Sequence, residues 1–270
     1  MSHGTPLLGA IARPQLPPER ILSVGRAAEE AGLEELWVWE DSFYEGGIAM
    51  AGALLGATRR LRVGIGVMPF PLRNVALAAM EIAALDRAFP GRFVAGLGHG
   101  VQEWMRQAGV RPRSVLTLER EYVAALRVLL AGETVTAHGE YVRLDGVRLE
   151  WPPSTTPALH LAATGPRSLE TSGEVGDGTI LVSSTTLDDF ASARELVARG
   201  REASGRGGEH VFTIFLTPAG RDAAATAELV RRWHAAGAQR VVLEPHEHEG
   251  DPEGFVRFVA ADVAPLVRGS

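Results

Sequence analysis

Short apolar runs alternate with amphipathic stretches along most of the chain. In the first half, apolar runs at 7–12, 36–39, 61–67 and 93–97 predict strands. Between them, 17–31, 48–57 and 75–87 read as helices, the first opened by Pro17-Pro18-Glu19 and stopped by Gly32. A longer helix is predicted over 112–130, where Val115, Leu118, Tyr122, Ala125, Leu126 and Leu129 recur at three-and-four spacing. The second half keeps the same beat, with strands at 158–162, 179–182, 211–216 and 240–243 and helices at 167–172, 187–203, 223–235 and 255–267.

Eight strand–helix repeats close a parallel sheet into a (β/α)8 TIM barrel, an α/β fold, and the connections are too short and regular for a second domain. The alternative, a doubly wound open sheet, normally shows phosphate-binding glycines after its first strand, and Ala10-Ile11-Ala12-Arg13-Pro14 has none. A single domain over 1–270 is therefore expected. The stretch 133–157 breaks the beat, with charges and glycines between apolar residues such as Tyr141, Val142 and Leu149. It reads as an irregular excursion between strands four and five, laid over the barrel mouth.

Composition acts mainly by exclusion. With 270 residues, 46% of them hydrophobic, the chain can bury a full core and is not a disordered polymer. A net charge of −6 without a basic block argues against nucleic-acid or membrane partners and leaves a small molecule as the substrate. The absence of cysteine removes disulfides, thiolate nucleophiles and Cys-ligated metals, and suits a cytoplasmic protein. No apolar stretch reaches the ~20 residues of a bilayer span, and no signal-peptide pattern opens the sequence.

In a barrel the chemistry sits at the carboxyl ends of the strands. Strand two ends in Trp39-Glu40-Asp41-Ser42, where the carboxylates could orient a polar ligand, act as an acid or cap the next helix. His99 stands between Gly98 and Gly100 directly after strand four, where it either faces a ligand or makes a buried hydrogen bond. Ala162-Ala163-Thr164-Gly165-Pro166-Arg167-Ser168 ends a strand and opens a helix, offering N–H groups, a hydroxyl and a guanidinium to an anion. Gly178 lets a backbone approach closely, and the glycines of strands three and four open space for a large flat ligand. No metal site is expected, because His246-Glu247-His248-Glu249 reads as a solvated loop. A Gly-x-Ser-x-Gly nucleophile elbow is absent, and the strand segments hold no lysine for a Schiff base.

Three segments carry a wider resemblance: AEEAGLEELWVWED, RVGIGVMPFPLRNVALAAMEIAALDRAFPGRFVAGLGHG and LHLAATGPRSLETSGEVGDGTIL. The second holds an Arg-Asn before a long helix, a Leu-Asp, a Gly-Arg and a Gly-Leu-Gly-x-Gly. From about residue 7 to residue 259 the chain resembles the bacterial luciferase-like monooxygenase superfamily, whose members use a flavin or the deazaflavin coenzyme F420. The resemblance implies an oxidoreductase with its cofactor ring across the mouth, beside Gly66, Val67, Met68, Gly98 and Gly100. The phosphate-bearing tail would lie near Ala162, Thr164, Gly165, Arg167, Gly178 and Val182.

The same resemblance implies a cis peptide or a bulge at Gly66-Val67 and a homodimer through the second and third helices. Trp39, Phe43, Phe70 and Trp104 would line an apolar substrate pocket, Phe70 being kept from deep burial by its Pro-Phe-Pro loop. His99 and Asp41 would move the proton that accompanies hydride transfer. Ser42 and Val101 depart from the histidine and glutamate of F420-dependent sugar-phosphate enzymes, and Ser42 likewise from the alcohol dehydrogenases, which argues against both substrate classes. F420 is the expected cofactor and FMN the alternative. A phosphate-binding lyase or isomerase barrel and a non-catalytic flavin-binding barrel are the rival classes.

Overall fold

The alternation read from the sequence closes on itself in a computed structural model that describes residues 4–269. Strands β1 (Leu7–Ala12), β2 (Glu35–Val38), β3 (Arg62–Pro69) and β4 (Phe93–Gly98) alternate with helices α1 (Pro18–Ala31), α2 (Gly47–Ala57) and α3 (Val75–Ala88). Two helices, α4 (Gln102–Gln107) and α5 (Val115–Leu130), and a hairpin of β5 (Val135–His138) and β6 (Arg143–Val147) follow. The chain continues through β7 (Leu159–Ala162), α6 (Pro166–Val175), β8 (Gly178–Leu181), α7 (Leu187–Ala203) and β9 (Val211–Leu216). It ends with α8 (Ala223–Ala236), β10 (Arg240–Leu243), α9 (Pro252–Arg257), a π-helical stretch at Phe258–Val263, and α10 (Ala264–Arg268). All strands but the hairpin pair in parallel, and Leu7 opposite Arg240 completes the ring.

Period-two alternation explains the two cores. One face of the strands packs against the helices in a large apolar shell. The other fills the barrel axis with Ile11, Trp37, Val94, Ile180, Phe215 and Val242. The indole of Trp37 lies where β3 carries glycine: a Cβ on Gly64 would come within 2.4 Å of that ring. Below this layer Glu35, fully buried, meets Arg240 Nε at 2.8 Å and Arg62 Nη1 at 3.1 Å, and accepts the Trp37 indole N–H. These charges floor the barrel at the amino ends of the strands.

Local signals set most element boundaries. Gly32 takes the left-handed conformation, φ 80°, that ends α1 and lets its N–H close on Ala28 and Glu29. The predicted 112–130 helix begins later, at Val115, because Ser114 is its N-cap and accepts the Thr117 N–H. The excursion is an antiparallel hairpin whose register shifts between Val135 and Ala137, and it lies along α5 rather than over the mouth. Glu121 of α5 accepts the N–H groups of Glu140, Tyr141 and Val142, and the Tyr141 hydroxyl receives the Ser114 N–H at 2.7 Å. No helix of the described residues is long and apolar enough to cross a membrane.

Candidate active site

The carboxyl ends of β2, β3, β4, β7 and β8 surround a cavity of about 210 Å³. Glu40 and Asp41 bound one side, and Gly66, Val67 and Pro69 the next. His99, Gly100, Val101 and Trp104 follow, then Ala162, Ala163, Thr164 and Val182. The wall at β3 carries a bulge: between matched pairs β3 runs from Ile65 to Met68 while β4 runs only from Ala95 to Leu97. The Gly66-Val67 peptide in that bulge is cis, and a second cis peptide, Ser42-Phe43, occupies the loop after β2.

His99 is held by its own loop. Its Nδ1 lies 2.9 Å from the Gly100 carbonyl, which can only accept, so Nδ1 carries the proton and Nε2 keeps its lone pair in the neutral ring. Gln102 Nε2 donates to the His99 carbonyl at 3.1 Å and fixes the same turn. Burial pushes the Asp41 carboxyl above the usual range, and the Arg13 charge partly opposes this. Burial also raises Glu45, with the Asp41 charge adding to it. Glu40 serves differently, since both of its oxygens take Arg73 at 2.7 Å and Arg73 Nε stands 3.0 Å from Glu81. It caps no helix; the N-cap of α2 is Gly46, with no side-chain cap.

Across the mouth Arg13 binds Glu244 at 2.6 Å and the Pro245 carbonyl at 3.1 Å, with its guanidinium 5.2 Å from the Trp39 ring centre. The Trp39 indole N–H is buried without a partner, and its ring packs on Phe215 at 6.1 Å.

Residues 3–258 match the luciferase-like monooxygenase family. The chain belongs to this family. It is 30% identical over 240 residues to a 5,10-methylenetetrahydromethanopterin reductase of Methanolobus tindarius, covering 86% of this chain and 72% of that protein. It is also 30% identical over 212 residues to an F420-dependent hydroxymycolic acid dehydrogenase of Mycobacterium tuberculosis, 73% of this chain and 57% of that protein. A solved F420-dependent secondary alcohol dehydrogenase superposes with a TM-score of 0.86 at 20% identity, over 98% of this chain and 99% of the other.

In this luciferase-like barrel the mouth brings together Asp41, Gly66, Val67, His99, Gly100, Trp104, Ala162, Thr164 and Val182. Other candidates lie elsewhere. Met68 is buried in the outer shell, and Gly98 sits beneath Val67, whose methyl would be 2.7 Å from an added Cβ. Gly178 is at the opposite end of β8, packed on His160 and the Val211 carbonyl, because it begins its strand rather than ending it. Phe70 is 2% exposed despite its prolines, since the loop turns it onto Tyr122 at 4.9 Å. Phe43 is 67% exposed and is not among the residues that line the cavity, and Trp39 belongs to the top of the axial core.

The glycines of the two central strands also have another purpose than the one expected. An added Cβ on Gly66 would meet the Phe215 ring at 2.7 Å, and one on Gly96 the Ile65 carbonyl at 2.1 Å. Their missing side chains make room for the protein's own core. At the start of α6 the Gly165 N–H is taken by Ser168 Oγ at 3.1 Å, and Arg167 is exposed and lines neither neighbouring cavity. Pro69, Val101 and Ala163 also line the mouth, at strand ends where the sequence places the chemistry, whereas sequence reasoning did not pair Arg13 with Glu244 or Arg73 with Glu40. Arg13 directly follows β1, and Arg73 heads the Arg-Asn of the family pattern, so both had a signal.

Proposed function

We propose that this protein is an F420-dependent oxidoreductase that moves a hydride between the deazaflavin and a small organic molecule. The observation that carries the reading is that two cavities adjoin. Thr164 and Val182 line both the mouth and a second cavity of about 420 Å³ between α6 and α7, with Ser184, Thr185 and Ser192 in its wall. A slot lined by backbone and small residues, opening into a hydroxyl-rich trough, fits a flat ring with an extended phosphorylated tail. Gly66, Val67, Gly100 and Ala162 would hold the ring. The tail phosphate would take the Thr164 hydroxyl and the amides of Arg167 and Ser168, which stand in the first turn of α6, where an N–H has no carbonyl within its own helix.

When bound, the cofactor supplies the hydride donor or acceptor. The chain's own residues handle the proton. His99 Nε2 is poised to accept the proton that leaves the substrate as the hydride is removed, and to return it in the reverse direction. Asp41, its carboxyl raised by burial, is the second proton-bearing group in the wall. Val101 and Trp104 cover the outer side and limit water. The exposed Leu77 and Met80 of α3 support assembly as a homodimer through α2 and α3. The two relatives carry names with different substrates, so the reading stops at the reaction type.

The test is a titration of the purified protein with F420 and with FMN, read by cofactor fluorescence, followed by turnover with a panel of alcohols and imines. Binding and reversible reduction of F420 is the expected result. Binding of FMN with no response to F420, or of neither, would overturn the proposal. Light scattering of the eluting protein tests the dimer, and a monomer at micromolar concentration rejects it.

A further inference from the structure

Behind the mouth, between the starts of α3 and α5 and the β5–β6 hairpin, lies a groove of about 400 Å³ that shares no lining residue with the mouth. Glu40 lines the mouth, Arg73 lines the groove, and their bidentate pair forms part of the wall between them. We propose that this groove is a second ligand site, for a small organic anion with a phosphate or carboxylate head on a flat apolar body.

The chemistry of the lining selects the charge. Arg111 and Arg143 both line the groove, and neither has a carboxylate within 4.0 Å among the described residues. Among the described residues the one side-chain hydrogen bond of Arg143 runs from Nε to the Gly139 carbonyl at 3.3 Å and leaves the Nη groups without a protein partner. Tyr141 uses its hydroxyl oxygen to accept the Ser114 N–H, so its own proton is available. Asn74 uses Oδ1 on the Ala76 N–H and keeps its amide donors. None of the lining residues is a carboxylate, and of the carboxylates nearby Glu121 is engaged with three hairpin amides, Glu140 with Arg113, and Glu40 and Glu81 with Arg73. The groove therefore presents free donors and two guanidinium charges. Pro71, Val75, Val110, Pro112 and Leu118 supply the apolar remainder, and the volume falls within the ~300–1,000 Å³ usual for small-molecule sites.

Calorimetric titration at low salt with phenyl phosphate, benzoate and inorganic phosphate tests the proposal. Phenyl phosphate or benzoate is expected to saturate one site, and the tighter of the two identifies the preferred head group. Inorganic phosphate, lacking the apolar body, is expected to bind more weakly. Changing Arg111→Gln and Arg143→Gln together, both exposed positions, should weaken binding by about tenfold or more, from the loss of charge-assisted hydrogen bonds. His99→Ala should leave it unchanged, which separates this site from the mouth. The proposal is overturned if no organic probe saturates, if inorganic phosphate binds as well as phenyl phosphate, or if affinity falls with His99→Ala and not with the arginine pair.

Discussion

Glu119 offers a decisive test of how this barrel treats buried charge. It lies on the inner face of α5, 1% exposed, and both of its carboxylate oxygens are buried without a hydrogen-bond partner among the described residues. Burial pushes its pKa from 4.5 to about 8; nearby Arg120 pulls down and Glu174 pushes up. The folded protein thus holds a proton that the unfolded chain releases above about pH 4.5. The neutral carboxyl costs nothing extra below pH 4.5, and stability is lost as pH rises toward 8. At about 1.4 kcal/mol per pH unit, the loss across this window approaches about 5 kcal/mol. Urea unfolding from pH 4.5 to 9 reads this directly. The difference between the wild type and Glu119→Gln isolates the carboxyl from every other titrating group, and Glu119→Leu should raise stability at pH 8 by about 1–3 kcal/mol or more by removing an unpartnered polar group. If Glu119→Gln shows the same decline as the wild type, or Glu119→Leu is less stable at pH 8, the reasoning is wrong.

Three further outcomes are expected. His160, 4% exposed at the barrel floor, is pushed down to about 3 by burial and by Arg240, so its neutral form contributes stability that is present above pH 6.5 and lost as pH falls toward 3. Replacing it with Gln should flatten the acid limb of the urea midpoint, and an unchanged limb would refute the assignment. Gly96→Ala puts a methyl 2.1 Å from the Ile65 carbonyl and should cost about 3 kcal/mol or more, checked by the denaturation midpoint. His99→Gln should cut turnover by ~10²–10⁴ while leaving the melting temperature nearly unchanged. A collapse in melting temperature with normal turnover per folded molecule would make that histidine structural.

Much of the architecture is visible in the one-dimensional pattern. Strand and helix periods come from the covalent geometry of the backbone, so runs such as 61–67 and 223–235 announce their elements wherever they are placed. Punctuation is equally local: Gly32 ends α1 because it alone takes the left-handed conformation there, and Ser114 opens α5 through a bond three residues away. Eight repeats imply closure, and strand ends imply a mouth, which is why Asp41, His99 and Thr164 could be named before they were seen together.

What stayed hidden depends on contacts between residues distant in the sequence. Gly64 looked like an opening for a ligand, yet the ring of Trp37 fills it, and no local pattern says which ring crosses the axis. Gly178 looked like a mouth residue and lies at the floor, since a residue's height in the barrel follows from strand register. Arg13 and Glu244 meet across 231 positions of chain, and Arg73 finds Glu40 across 33. Backbone periodicity is a property of neighbours in sequence and can be read there. Which side chain occupies a given space, and which charge answers another, is fixed only when the closed barrel brings distant segments into contact.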